Sequence, residues 1–181
     1  QTRCSGVATA AVGFATSVAG TTFAWTGVAS SGTVTGFTPS GTGGLPVMTI
    51  TNSSNTTQTV TYTVIPTRNG CQGPPFTYTI TINPTPVLTL SANQTICGGQ
   101  TTAVTSFTNS VAGGTFSYAL QSPAAVPANV TGYPTTGNSQ IPASVINNGG
   151  SSPFTLNYTI TPSANSCNGT TGTFSITVNP A

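Results

Sequence analysis

The chain has 181 residues and contains no Asp, Glu, His or Lys, so its charged side chains are Arg3 and Arg68 alone. General acid and base catalysis near neutral pH depends mainly on the four missing residue types, and we therefore expect no enzyme and no catalytic residue. The formal net charge of +2 comes from two arginines that lie far apart in the sequence. Nucleic-acid binding needs clustered Lys and Arg, so we expect no nucleic-acid partner.

Apolar residues are spread along the chain in short alternating groups. They make up 36% of the sequence, and no apolar run approaches the roughly 20 residues that a membrane-spanning helix needs. We therefore expect a folded structural or binding protein that does not insert into a membrane. The first residues, QTRCSG, show no signal-peptide pattern and predict mature material or an internal fragment.

The sequence repeats itself once. QTRCSG at 1–6 recurs as QTICGG at 94–99, an offset of 93, and TITINP at 79–84 recurs as SITVNP at 175–180, an offset of 96. The second copy has therefore gained three residues between Trp25 and Gly41, as surface loops tolerate. Two homologous units of about 90 residues follow.

Apolar positions within each copy step by two. Phe76, Tyr78, Ile80 and Ile82 alternate with threonines, as expected for a strand that is buried on one face. This period, with Gly, Asn and Pro between the runs, predicts an all-β fold of two tandem Ig-like antiparallel β-sandwiches. In the second copy we place strands at 87–92, 101–108, 114–120, 128–133, 141–146, 154–161 and 172–179.

The predicted domains are a sandwich at 1–83, a short proline-rich linker at 84–86 and a second sandwich at 87–181. The segment PVLTLSAN, which opens the second copy, has no counterpart before Gln1, so we expect the first domain to lack its first strand. We interpret the chain as a window from a longer array in which further copies of the repeat are the partners. A strand from a neighbouring molecule is the alternative way to fill the gap.

Four cysteines, Cys4, Cys71, Cys97 and Cys167, occupy matching positions in the two copies. Three pairings are open, and repeat equivalence favours Cys4–Cys71 and Cys97–Cys167. The flanking Gly and Asn residues predict hairpin loops around Cys71 and Cys167. A zinc site usually uses close cysteine pairs, which are missing here, so we expect neither a metal nor another cofactor. Disulfides would place the protein in an oxidising, extracellular setting, secreted or at the cell surface.

The two repeat-closing stretches, YTVIPTRNGCQGPPFTYTITINPTP at 62–86 and YTITPSANSCNGTTGTFSITVNP at 158–180, resemble PKD-like and Ig-like repeats. Such repeats occur in giant cell-surface proteins of Bacteroidota, including adhesins of the gliding and type IX secreted types. The resemblance implies export and surface display. The acidic residues of calcium-binding repeats are missing, which argues against rigidification by calcium.

Two functions stay open at this point. The first is a non-enzymatic structural repeat of a surface filament or adhesin stalk. Its sheet edges lack the charged residues, such as Lys, that usually prevent lateral association. The second is an adhesive module that binds a glycan or surface, with Phe37 and Tyr133 as ligand-facing aromatics. Trp25 and Tyr118 follow equivalent strand starts, and we expect both rings to face the core.

Overall fold

The computed structural model describes residues 1–122 and 126–181, without the side chain of Ser122. The chain forms two compact units, unit 1 at Gln1–Thr85 and unit 2 at Pro86–Ala181. Each unit is a β-sandwich, so the predicted all-β class is confirmed.

Unit 1 is built on one large sheet. Its strands are β1 (Thr2–Cys4), β2 (Thr22–Ala29), β3 (Val34–Thr35), β4 (Ser40–Thr42), β5 (Thr51–Asn52), β6 (Gln58–Arg68), β7 (Cys71–Gln72) and β8 (Phe76–Asn83). The sheet order is β1-β8-β6-β2-β4, with β7 on β6, and β1 runs parallel to β8. The facing layer contains the β3–β5 pair and two isolated bridges, Ala8–Thr49 and Val12–Leu45.

Unit 2 repeats this plan with an additional strand pair. Its strands are β9 (Leu88–Leu90), β10 (Gln94–Cys97), β11 (Gln100–Thr101), β12 (Phe107–Asn109), β13 (Thr115–Ser122), β14 (Val130–Thr131), β15 (Thr136–Gly137), β16 (Val145–Asn148), β17 (Phe154–Ala164), β18 (Cys167–Asn168) and β19 (Gly172–Asn179). The large sheet has the order β10-β19-β17-β13-β15, with β18 on β17. The strands β11-β16-β14 and the pair β12-β9 complete the sandwich.

The core of each unit lies under the large sheet and follows from the alternation in the sequence. In β6, Val60, Tyr62 and Val64 are fully buried, while the threonines between them are partly exposed. Successive side chains of a strand point to opposite faces, so one face fills the core and the other carries hydroxyls. The facing layer supplies Leu45 and Ile50 in unit 1, and Ile141 and Ile146 in unit 2.

Several predicted strands have different bounds in the structure. The strand expected at 101–108 is two short pieces, β11 and β12, and those expected at 128–133 and 141–146 become β14 and β16. The parallel strand β10 was not predicted, because its register depends on β19, about 80 residues away in sequence, rather than on a local pattern. The repeat offset is 93 at Tyr118 and 96 at Val130, so the predicted three-residue insertion falls between these two residues. Within this stretch the pairing of β13 with β17 shifts register between Leu120 and Ser122, and residues 123–125 lie outside the described residues.

Candidate functional site

The positions of the four cysteines are set by the register of each large sheet. In unit 1, Cys4 lies opposite Asn83 at the end of the sheet where β6 begins. Cys71 lies opposite Arg68, the last residue of the 11-residue strand β6. An 11-residue strand is roughly 30 Å long, whereas bridged cysteines have Cα atoms within about 7 Å. Cys4 and Cys71 are therefore too far apart to be bridged.

The same geometry holds in unit 2. Cys97 lies opposite Asn179, beside the start of β17, and Cys167 lies opposite Ala164, the last residue of that 11-residue strand. Neither predicted pair, Cys4–Cys71 or Cys97–Cys167, is formed. Instead Cys71 and Cys97 are free and exposed, whereas Cys4 and Cys167 are disulfide-bonded. Equivalence within the repeat identified which cysteines match between the two units. It did not reveal that the two cysteines of each unit lie at opposite ends of its large sheet.

The aromatic side chains separate into two groups. Trp25 and Tyr118 are 4% and 6% exposed, so the prediction that both rings face the core is confirmed. Phe37 and Tyr133, the two ligand-facing candidates, stand at equivalent positions 96 residues apart. Each is half-buried and packs against the core of its own unit. Each of the four rings therefore packs against the core of its own unit.

A buried asparagine recurs at the same position in both units, and the sequence analysis did not single it out. Asn52 donates from Nδ2 to the carbonyl oxygens of Thr56 and Ile82, at 2.8 and 3.0 Å. Asn148, 96 residues later, donates from Nδ2 to those of Ser152 and Val178, at 3.0 and 2.8 Å. Buried amides need such partners, so these residues join the two layers of each sandwich. Recurrence of Asn at one repeat position was the available signal.

A buried threonine also recurs at the same position in both units, and its hydroxyl accepts a hydrogen bond within the facing layer. The Thr9 hydroxyl accepts a hydrogen bond from the Met48 backbone N–H at 2.9 Å, and the Thr102 hydroxyl accepts one from that of Ser144 at the same distance. Thr9 and Thr102 are equivalent and nearly fully buried. In each unit the hydroxyl accepts the hydrogen bond that a backbone carbonyl would otherwise accept. The role of these threonines is therefore structural.

Two buried tyrosines have perturbed acidities. Burial raises the pKa of Tyr62 to about 12. Burial also raises the pKa of Tyr158, and the nearby Tyr118 and Tyr133 add to this effect. Because both phenols are protonated near neutral pH, neither serves as a general base there.

Two surface grooves present hydroxyls and apolar groups. In unit 1 a groove of about 480 Å³ lies beside the β6–β7 hairpin and is lined by Thr16, Val18, Thr21, Pro66, Arg68 and Cys71, among others. In unit 2 a groove of about 380 Å³ exposes the Ser and Thr side chains of Ser117, Thr136, Thr159 and Thr161. Across the described ranges, no three His, Cys, Asp or Glu side chains are close enough to hold a metal ion. Within the same ranges, no helix has the length and apolar character to cross a membrane.

Comparison with known proteins assigns the sequence of this chain to a family. No curated protein sequence matches the chain. Similar solved structures include mouse cadherin-23 EC22–24, with 12% identity over 88% of this chain and 54% of that chain and a TM-score of 0.39. Protocadherin gamma B2 domains 1–5 match with 15% identity over 87% of this chain and 32% of that chain, at a TM-score of 0.37. DIP-gamma IG1+IG2 matches with 9% identity over 99% of this chain and 92% of that chain, also at 0.37.

The chain therefore spans about half of the cadherin-23 structure and a third of the protocadherin structure. The PKD-like domain family matches twice, at residues 1–86 and 94–181, which together cover nearly the whole sequence. PKD-like domains are usually non-catalytic, and with a disulfide they indicate an extracellular module. The chain belongs to the PKD-like domain family, of which it contains two tandem copies.

Proposed function

We propose that this chain is a non-enzymatic structural repeat of an extracellular surface filament or adhesin stalk, of the kind found in giant Bacteroidota surface proteins. One observation carries the proposal: the sequence contains no Asp, Glu, His or Lys. Proton transfer, calcium binding and charge-based recognition all depend on these residues. A module without them serves as a spacer between the domains on either side of it in the polypeptide, and its surface takes no part in catalysis.

The burial of the aromatics supports the same role. Glycan recognition by stacking requires an exposed ring face, whereas Trp25 and Tyr118 are buried and Phe37 and Tyr133 pack against the cores. The outer faces of the large sheets carry threonines instead. In the pair β6–β8, Thr59, Thr61 and Thr63 lie opposite Thr81, Thr79 and Thr77.

The edges of the large sheets favour a stalk over a laterally packed filament. In unit 1 the edge strands are β1 and β4, each of three residues, and in unit 2 they are β10 and β15, of four and two residues. Very short edge strands limit edge-to-edge pairing even when charges are missing. We therefore expect the units to act in series along one chain.

The test replaces the segment in its parent surface protein with two unrelated inert β-sandwiches of the same length. A spacer role predicts that cell attachment is retained with the replacement and weakened by a plain deletion. Loss of attachment with the length-matched replacement would contradict the proposal.

A parallel experiment addresses the adhesive alternative. The purified 181-residue chain is applied to a glycan array, and a spacer predicts no binding. Reproducible binding that Phe37→Ala and Tyr133→Ala abolish would favour the adhesive module instead.

A further inference from the structure

The two units differ at one place on their facing layers. In unit 2, β12 pairs with β9, so that Phe107 lies opposite Leu90 and Asn109 lies opposite Leu88. The equivalent residues of unit 1, 93 positions earlier, are Phe14, Ala15 and Thr16. Among the described residues of unit 1, no strand pairs with them.

In unit 2, β9 covers apolar surface and satisfies backbone groups. Leu88 and Leu90 pack against the core, and a Cβ at Gly172 would lie 2.9 Å from both side chains. Ser110 completes the pairing, because its backbone N–H donates to the Val87 carbonyl at 3.0 Å and its hydroxyl accepts from the Val87 N–H at 2.9 Å. The additional strand therefore belongs to the sandwich.

In unit 1 the same surface is partly open. Val18 is 51% exposed, whereas its equivalent Val111 is 5% exposed. Phe76 stands where unit 2 has Gly172, and its ring packs edge-on against Phe14 and Phe23 at centroid distances of 5.5 and 6.5 Å. Phe76 itself is 40% exposed, so it covers the site incompletely.

The groove of about 480 Å³ described above adjoins this open segment, since Thr16, Val18 and Thr21 line it. In unit 2 the equivalent place beside Gly169 and Pro162 is approached by Pro86. Ser17, the equivalent of Ser110, retains the hydroxyl that would hold an incoming backbone N–H. Unit 1 therefore has the acceptor surface of unit 2 without its strand.

We propose that this surface of unit 1, formed by Phe14–Ser17, Val18 and the adjoining groove, binds an extended strand with the chemistry of residues 86–92. Such a strand has alternating apolar residues, no charge and an initial proline. Its source is the linker of the preceding copy of the repeat in the same polypeptide, and the inference rests on the proposed array of repeats.

Strand addition fits this surface better than binding of a compact ligand. An added strand satisfies the open backbone groups of Phe14–Thr16 by main-chain hydrogen bonds, and its alternate side chains fill the apolar groove. A covalently connected donor also has a high effective concentration, which a separate molecule lacks. The preceding linker is therefore the favoured source.

The experiment adds a copy of residues 84–93 directly before Gln1 of the full chain, because those residues directly precede Gln94 in unit 2. Amide hydrogen exchange is then measured at Phe14–Val18, with and without the extension. We expect exchange there to slow by about tenfold, as for groups that gain strand hydrogen bonds. A matched extension in which the copies of Leu88 and Leu90 are serine should give little protection.

Phe76→Gly sharpens the test because it gives unit 1 the residue that unit 2 has at this place. The variant alone should have a lower thermal midpoint, since Phe14 and Phe23 lose their cover. The extension should restore the midpoint and protect Phe14–Val18 more strongly than in the wild-type chain, where Phe76 must turn outward. If this variant fails to fold, the wild-type comparison still decides.

Equal exchange with the leucine and serine extensions would overturn the proposal. Protection by a free peptide of residues 84–93, but not by the attached extension, would overturn the assignment to the preceding copy. Neither readout depends on adhesion or glycan binding, so failure here would leave the proposed spacer role intact.

Discussion

Asn148 is joined to Val178 by a buried hydrogen bond, in which its Nδ2 atom donates to the backbone carbonyl at 2.8 Å. Asn52 makes the same bond to Ile82 in unit 1, at 3.0 Å. The asparagines are 4% exposed or less, so each unit fastens its facing layer to its last strand through one amide. A side chain of the same shape that cannot donate should break this connection.

Asn148→Asp should destabilise unit 2 at neutral pH by about 3 kcal/mol, because a buried carboxylate would face the carbonyl oxygens of Ser152 and Val178. These oxygens and the burial raise the pKa of the new carboxyl in the folded state. Stability should therefore recover as the pH falls through that pKa, since the folded state then binds the proton more tightly. Urea unfolding between pH 3 and pH 7 measures this, and a variant with pH-independent stability would contradict it.

Gly41 lies directly opposite Trp25 in the β2–β4 register, and a Cβ at Gly41 would overlap the indole ring. Gly41→Ala should destabilise unit 1 by about 1–3 kcal/mol, as for overpacked cores. Gly32→Ala is the matched control, because a Cβ at Gly32 meets nothing within 4 Å. Thermal unfolding followed by Trp25 fluorescence measures both, and equal midpoints would show that the ring moves without cost.

The two hairpins test backbone strain. Asn69 and Gly70 form a two-residue turn with φ values of 48° and 79°, and Asn165 and Ser166 form its equivalent with 50° and 63°. Left-handed geometry costs a non-glycine residue roughly 1–2 kcal/mol. Gly70→Ala should therefore destabilise unit 1 by about that amount. A Cβ at Gly70 meets nothing within 4 Å, so the loss of stability would come from the backbone conformation and not from a steric clash.

The opposite change, Ser166→Gly, should stabilise unit 2 by about 1 kcal/mol through the same backbone effect. Urea unfolding of both variants provides the comparison. If Gly70→Ala is neutral while Ser166→Gly stabilises, the turn geometry is not the cause.

Stability should be nearly flat from pH 3 to pH 8, because the sequence has no Asp, Glu, His or Lys. Above pH 10 it should fall. An unfolded tyrosine loses its proton near pH 10, whereas burial raises the pKa of Tyr62 to about 12. Between these values the unfolded state binds fewer protons, so the free energy of unfolding decreases with pH.

Tyr62→Phe should make this alkaline loss shallower, while its cost at neutral pH should be small because the hydroxyl donates to a weak acceptor, the Met48 sulfur, at 3.3 Å. Tyr78→Phe serves as the control, since Tyr78 is only partly buried. Unfolding curves at pH 8 to 12 give the slopes. Identical slopes for the wild-type chain and Tyr62→Phe would exclude Tyr62 as the source.

Native chain should contain two thiols that react with a disulfide reagent, at Cys71 and Cys97, because both are free and exposed. Cys71→Ser should reduce the count to one. Peptide mapping under non-reducing conditions should identify Cys4 and Cys167 as the bonded cysteines. A native chain without reactive thiols would instead support the pairing within each repeat.

Particular residues mark the limit of prediction from the sequence. The alternation at Val60, Tyr62 and Val64 predicts a strand with one buried face, because side-chain direction along a strand is a local property. The bounds of β10 and the separate strands β11 and β12 could not be read in this way, since short strands are defined by distant partners. The roles of Asn52 and Asn148 depend on carbonyl groups that only the folded chain brings near.

The sequence by itself determined the chemistry available to this protein, its division into two repeats and its all-β class, because composition and two-residue periodicity do not depend on distant contacts. Only the tertiary structure decided which cysteines can meet, since Cys4 and Cys71 are placed by the register of β1 on β8 and β6 on β7. It also decided that, among the described residues, no strand covers Phe14–Thr16 as β9 covers their equivalents in unit 2. Strand register joins residues far apart in sequence, and no local pattern encodes it.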